Sequence, residues 1–79
     1  MSGGVIKQYD SATVIKVKFT VGEGWYFCFV PVFEGDVAVC KRGEIVEEGV
    51  VEKVLLNVTS QSSPVPFNKM QSVEQIKFE

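Results

Sequence analysis

Four glutamates lie close together in the middle of the chain and form its densest group of side chains able to do acid–base chemistry. They are Glu44, Glu47, Glu48 and Glu52. Paired carboxylates can hold a hard cation or serve as a general acid and base. Their spacing matches no calcium-binding loop. We therefore interpret the run as the solvated face of a hairpin, on which Glu47 and Glu48 are candidate contacts to a protein partner.

Five basic residues form a second candidate surface: Lys16, Lys18, Lys41, Arg42 and Lys53. If the fold brings them beside Trp25 or Tyr26, the result is a cationic and aromatic surface on which single-stranded nucleic acid can stack. The alternative is that the strand lysines protect an exposed strand while Trp25 belongs to the core. The sequence favours this alternative, because so aromatic a strand needs packing partners more than ligands.

Most catalytic and cofactor-binding patterns are missing from the sequence. It contains no histidine, which is the commonest general base and metal ligand. It also lacks a phosphate-cradling glycine loop and a dinucleotide-binding fingerprint. Cys28 and Cys40 lie in apolar runs without further close-spaced ligands, so we interpret them as small buried residues rather than a metal site or a disulfide. We expect a protein that is not an enzyme and that binds no cofactor and no metal.

Length and charge restrict the fold and the partners further. A chain of 79 residues has material for one hydrophobic core only. Eight basic against ten acidic residues give a net charge of -2, which provides no general attraction to nucleic acid or anionic lipid. No secretory signal and no apolar run of membrane-spanning length is visible. These features predict a single cytoplasmic module without a membrane segment.

The apolar pattern predicts a mostly β protein. In residues 14–19, apolar side chains alternate with Lys16 and Lys18, which is typical of a half-buried strand. Glycines follow that can form a tight hairpin turn, and residues 25–30 are then apolar on both faces. Residues 37–40 form a third strand, and residues 44–58 form two more that turn near Glu48-Gly49. Five short strands at this spacing favour a small barrel.

The chain divides into a core and two terminal segments. Residues 1–12 are expected to be a flexible N-terminus or a short edge strand, residues 13–58 the barrel core, residues 59–66 a loop and residues 67–79 a C-terminal cap. Apolar residues recur at every third position of the cap: Phe67, Met70, Val73 and Ile76. This spacing suits one or two helical turns. A terminal strand after Ser72 is the open alternative.

Residues 25–54 carry a recognisable series of motifs. An aromatic strand ends in Val30-Pro31, a Gly-Asp turn leads into the strand of residues 35–39, and a basic-glycine turn at residues 41–43 precedes Gly49-Val50-Val51. The series resembles the small SH3-like modules of uncharacterised phage-encoded and bacterial proteins. It is similar, more loosely, to the N-terminal 3′-DNA-end-binding domain of the primosomal replication helicase.

The resemblance implies a five-stranded SH3-like barrel with a short C-terminal helix or strand. An OB-like barrel is the alternative, less favoured because residues 41–49 are poor helix material where that fold usually has a helix. No individual DNA contact carries over, since only the strand skeleton matches. The Gly35-Asp36 turn is explained by structure alone. Gly35 permits a sharp turn, and the Asp36 side chain can accept backbone hydrogen bonds.

Two functions follow as hypotheses. The first is a non-enzymatic protein-interaction module, which the resemblance makes a phage-encoded modulator of a host protein in the host cytoplasm. Its aromatic strand, with Trp25, Tyr26, Phe27 and Phe29, would face a protein partner or a second copy of the chain. The alternative is a single-stranded nucleic-acid-binding or replication accessory protein that uses the five basic residues.

Overall fold

The computed structural model describes residues 11–77, which form a curled six-stranded sheet with the shape of a half-barrel. The elements are β1 (Ala12–Lys18), β2 (Glu23–Phe27), β3 (Val37–Arg42), β4 (Ile45–Val58), a 3₁₀ turn (Phe67–Lys69), β5 (Gln71–Ser72) and β6 (Gln75–Lys77). The expectation of a mostly β fold is confirmed, with 55% of these residues in strands and 4% in helix. The edge strand considered near Val5-Ile6 lies outside the described residues.

The strand order is β5-β2-β1-β4-β3-β6, so β1 and β4 occupy the centre of the sheet. Two hairpins, β1–β2 and β3–β4, supply most of the antiparallel pairing. Gly22 closes the first hairpin with φ +84°, and its carbonyl accepts the Phe19 N–H at 2.9 Å. Gly43, with φ +66°, is the first residue of the two-residue turn of the second, the position that a type II′ turn reserves for glycine. Gly22 and Gly43 therefore lie in turns as the sequence predicts, whereas Gly24 belongs to β2.

The turn expected near Glu48-Gly49 is wrong, because β4 runs through it without interruption. Its first half pairs with β3 and its second half with β1, and the exchange of partners falls at Val50. A β-carbon built on Gly49 would lie 2.6 Å from a Val17 methyl and 2.7 Å from the Lys18 carbonyl oxygen. Gly49 is thus required by a close approach of β1 to β4 rather than by a turn.

Apolar side chains fill both faces of the sheet. The inner core is built from nine buried residues: Ile15, Val17, Phe19, Cys28, Val32, Ala38, Cys40, Val51 and Ile76. On the other face Val14, Val58 and Met70 form an outer cluster. Trp25 and Phe27 pack against the outer cluster, whereas Tyr26 packs against the inner core. Both faces of β2 therefore pack partly against the chain itself, with Trp25, Tyr26 and Phe27 half-buried and Phe29 exposed.

The C-terminal cap combines the two conformations left open by the sequence. It begins with one 3₁₀ turn and continues as two short strands. Phe67 and Met70 pack in the outer cluster, whereas Val73 and Ile76 pack in the inner core. The spacing of three residues thus marks a chain that passes from one face of the sheet to the other, and not one face of a helix.

This crossing joins the two edges of the sheet. β5 pairs with β2 at one edge and β6 pairs with β3 at the other, with only Val73 and Glu74 between them. The Val73 N–H donates to the Phe27 carbonyl at 2.9 Å, and the Glu74 N–H donates to the Val39 carbonyl at 2.7 Å. One extended segment therefore bridges β2 and β3 and curls the sheet into its half-barrel.

Replacing Gly49 by alanine tests the close approach of β1 and β4. The added methyl meets Val17, a backbone oxygen and the Phe19 ring within 3 Å. We expect the free energy of unfolding of Gly49→Ala to fall by about 1–3 kcal/mol, because the contacts force a backbone shift. Urea denaturation measures it. The exposed neighbour supplies the control variant Val50→Ala, which should change stability by clearly less, and equal effects would contradict this explanation.

Candidate functional site

A groove opens between β2 and β3, next to the segment that bridges them. We call it the seam groove; its volume is about 490 Å³. It is lined by residues 23–26 of β2, by residues 41–43 of the β3–β4 hairpin, and by Val65, Lys69 and Gln71. Three separate parts of the chain therefore meet around one opening.

Backbone groups of both strands point into this groove. Antiparallel pairs alternate between hydrogen-bonded and non-hydrogen-bonded positions. Cys28 donates its N–H to the Thr13 carbonyl at 3.0 Å, so by alternation Trp25 directs its N–H away from β1. The Val39 carbonyl accepts the Glu74 N–H, so the backbone groups of Val39 point away from β4. By the same alternation, the backbone N–H and C=O of Lys41, two residues further along β3, also point away from β4. Within residues 11–77 the Trp25 N–H and the Lys41 N–H and C=O have no backbone partner.

The bridging segment shows how wide the opening between these strands is. Phe27 and Val39 bond to consecutive residues of one extended chain, so β2 and β3 are separated there by two strand spacings, roughly 10 Å. The seam groove continues this slot by two residues on each strand, to Trp25 and Lys41. Its edges therefore have the separation and the exposed backbone groups that receive one more extended chain.

Two cations in the groove have no acidic partner. The structure shows no carboxylate within ion-pair distance of Lys41 or Lys69 over its described range. Arg42 differs, since its guanidinium bonds to Glu47 at 2.7 Å and to the Val21 carbonyl at 2.9 Å. The same group lies 4.3 Å from the centre of the Phe19 ring. Arg42 therefore fastens the two hairpins together, and the free positive charge comes from the two lysines.

A second set of basic and aromatic residues crosses the outer face of the sheet. Trp25, Lys16 and Lys53 are direct neighbours on β2, β1 and β4. The Lys16 ammonium lies 5.8 Å from the centre of the Trp25 ring and 3.1 Å from a Glu23 carboxylate oxygen. The structure thus groups Lys16, Lys53 and Trp25 in one row, called the outer row below, which contains two of the five basic residues of the nucleic-acid hypothesis.

Other predicted site residues have partners inside the protein. Phe27 packs edge-on against Phe67 with ring centres 5.0 Å apart, and Phe29 stacks on Phe27 at 5.9 Å. Lys18 lies 4.0 Å from Glu52. Glu48 forms an ion pair with Lys77. With Glu47 bound to Arg42, both glutamates proposed for partner binding carry a countercharge from this chain.

Sequence reasoning missed the part of the groove that comes from the C-terminal cap. Lys69 and Gln71 line it, together with Val65 from the preceding loop. The only sequence feature that marks Lys69 is its position as a cation between the apolar cap residues Phe67 and Met70, which is a weak signal. Its place depends on the path of the loop across the sheet, which no local pattern encodes.

Burial shifts the pKa of one group on each of the two strands that flank the groove. Cys40 is fully buried, and burial raises the pKa of its thiol to about 11. Burial is also the main cause that raises the pKa of the Tyr26 hydroxyl above its ordinary value. Both cysteines are free and buried, which confirms their interpretation as small core residues. In the described part of the chain, no three metal-ligating side chains come together.

Comparison with known proteins found no matching family model, no matching curated protein and no matching solved structure. Among the helices of the described residues, none has the length and apolar character needed to cross a membrane.

The raised pKa of Cys40 predicts a loss of stability at alkaline pH. The folded protein keeps this thiol proton up to about pH 11, whereas the unfolded chain releases it from about pH 9. The unfolded state then binds fewer protons, so the free energy of unfolding falls as the pH rises between these values, by at most about 3 kcal/mol. Urea denaturation should show a smaller fall in Cys40→Ala than in the wild type. Equal falls would contradict the assignment to Cys40.

Proposed function

We propose that this protein is a non-enzymatic interaction module that binds an extended peptide by adding it as a strand in the seam groove. One observation carries the proposal. The slot between β2 and β3 is filled by the chain's own segment at Val73-Glu74, and it continues beyond that segment with unpaired backbone groups on both sides. Exposed strand edges of this kind are templates for pairing with another chain.

The two edges would hold such a peptide from both sides. The Trp25 N–H and the backbone N–H and C=O of Lys41 would form hydrogen bonds with the peptide backbone. Alternate peptide side chains would point to opposite faces of the sheet. Those on the outer face would meet Trp25 and Lys16, and those on the inner face would meet Tyr26. Main-chain bonds then give affinity, and these side chains give selectivity.

The proposal keeps Trp25 and Tyr26 of the expected docking surface, because both line the groove. It leaves out the others: Phe27 packs against the outer cluster and stacks with Phe29, and Glu47 and Glu48 are ion-paired. A cytoplasmic location suits the two free thiols, because disulfides are rare in that reducing compartment. The SH3-like type of barrel and the phage-encoded modulator remain predictions within this proposal.

A proline at position 41 tests strand addition directly. The Lys41 N–H points into the groove, so proline removes it without breaking the ladder between β3 and β4. We would select peptides from a displayed library of random octapeptides and measure their affinity by calorimetry. Binding to Lys41→Pro should be weaker by at least about tenfold, since a groove-facing donor is lost and the ring occupies the slot.

Lys41→Gln is the matched control, because it removes the charge and keeps the N–H. It should bind more tightly than Lys41→Pro. Hydrogen exchange gives a second measurement, in which a bound peptide slows exchange at Lys41 but leaves its strand neighbour Cys40 unchanged. Failure to select any peptide, or equal binding by Lys41→Pro and the wild type, would show that the proposal is wrong.

Single-stranded nucleic-acid binding is a second candidate, and the outer row supports it. Trp25 lies beside Lys16, and Lys53 follows on the next strand, so a base stacked on the indole would direct its phosphates toward these ammonium groups. The Lys16 charge is already shared with Glu23, so Lys53 is the uncompensated member of this row among residues 11–77. The outer row and the seam groove share Trp25 but have different cations: Lys16 and Lys53 in the row, and Lys41 and Lys69 in the groove.

An oligothymidine titration followed by Trp25 fluorescence tests the second candidate. If the outer row binds single strands, the oligonucleotide should quench the fluorescence at low salt, and added salt should reverse the quenching. Lys53→Gln should weaken this binding several-fold, whereas Lys69→Gln should leave it unchanged. Absence of quenching at low salt would exclude the candidate.

A further inference from the structure

The seam groove is closed at one end. At its inner end the slot is already occupied by Gln71 and the residues that follow it, which pair with β2 from Tyr26 onward. An added strand that enters from the turn of the β3–β4 hairpin therefore meets the chain's own segment and cannot continue. It must end there or leave the sheet.

The charges beside this closed end are positive and unpaired. Lys69 lies two residues before Gln71 and lines the same groove, and Lys41 lines it from the opposite strand. Neither lysine has a carboxylate partner within the described range. The acidic residue of the groove, Glu23, is engaged by Lys16 at 3.1 Å. A chain end with a negative charge fits this place, and one with a positive charge is repelled.

We infer that the seam groove binds the C-terminal end of a peptide, with its terminal carboxylate held between Lys41 and Lys69. This inference rests on the proposed function and specifies the ligand of the same site. An ionised carboxylate that accepts from an ammonium group forms a stronger hydrogen bond than a neutral pair does. The terminal carboxylate belongs to the peptide backbone and is present whatever the last residue is. Any C-terminal sequence whose side chains fit the groove can therefore form this interaction.

The direction of the bound peptide agrees with this assignment. A chain whose C-terminus reaches Gln71 runs parallel to β2 and antiparallel to β3. The protein's own segment has these two directions, since β5 is parallel to β2 and β6 is antiparallel to β3. The peptide would thus take the path that the cap would have followed if it had stayed extended before Gln71 instead of leaving through the 3₁₀ turn.

The decisive experiment compares two displayed libraries of the same random octapeptides on the full chain. One library ends in a free carboxylate, and the other carries a glycine-serine linker on both sides of the random segment. We expect enrichment from the first library only. A selected peptide synthesised with a C-terminal amide should then bind about tenfold more weakly than its free acid.

Lysine variants test whether the terminal carboxylate lies beside Lys69. Lys69→Gln should weaken the free acid about tenfold and leave the amide unchanged, whereas Lys18→Gln on the outer face should affect neither. Equal binding of acid and amide, with both libraries enriched, would overturn the C-terminal assignment and leave strand addition intact. Failure of both libraries would overturn both proposals, and binding of oligothymidine alone would point to nucleic acid.

Discussion

Two consecutive backbone amides, those of Val73 and Glu74, hold the opposite edges of the sheet together. In an extended chain, successive N–H groups point to opposite sides. One segment can therefore donate to Phe27 on β2 and to Val39 on β3 at the same time. Without it, both strands would be exposed edges, and the inner core would lose the cover of Val73 and Ile76. The curl of the sheet, its core and its groove all depend on this bridge.

The bridge closes only part of the seam, because the chain leaves it at Met70. Had the cap stayed extended, it would have gained a few more ladder hydrogen bonds, each worth about 1 kcal/mol net. By turning aside, it buries Met70 and half-buries Phe67 on the outer cluster, where full burial of one such side chain contributes about 1.5–3 kcal/mol. Apolar burial thus offsets hydrogen bonds of similar total size, and the groove is the space that this exchange leaves open.

Local patterns were sufficient for the hairpins and insufficient for the contacts between distant segments. Alternation and turn glycines predicted β1 and β3, and they placed the second strand at residues 25–30, which overlaps β2 but runs three residues beyond its end at Phe27. Gly49 misled the prediction, since a glycine required by an approaching strand looks the same in sequence as a glycine in a turn. The sequence predicted only part of the groove lining. Trp25, Tyr26 and Lys41 were candidates, but Lys69 reaches them through a loop whose path depends on the outer cluster.

The charge of the chain favours the proposed peptide end over a long polyanion as the ligand of the groove. The chain carries a net charge of -2, so a ligand that extends over its surface meets more repulsion than attraction. Screening limits each charge to roughly 8 Å at physiological ionic strength. Lys41 and Lys69 line the groove without a carboxylate partner among residues 11–77, while the acidic groups Glu23 and Glu47 are paired with Lys16 and Arg42. Under the proposed assignment, a peptide end would meet a local positive site on an acidic protein, which favours one terminal charge over a chain of them.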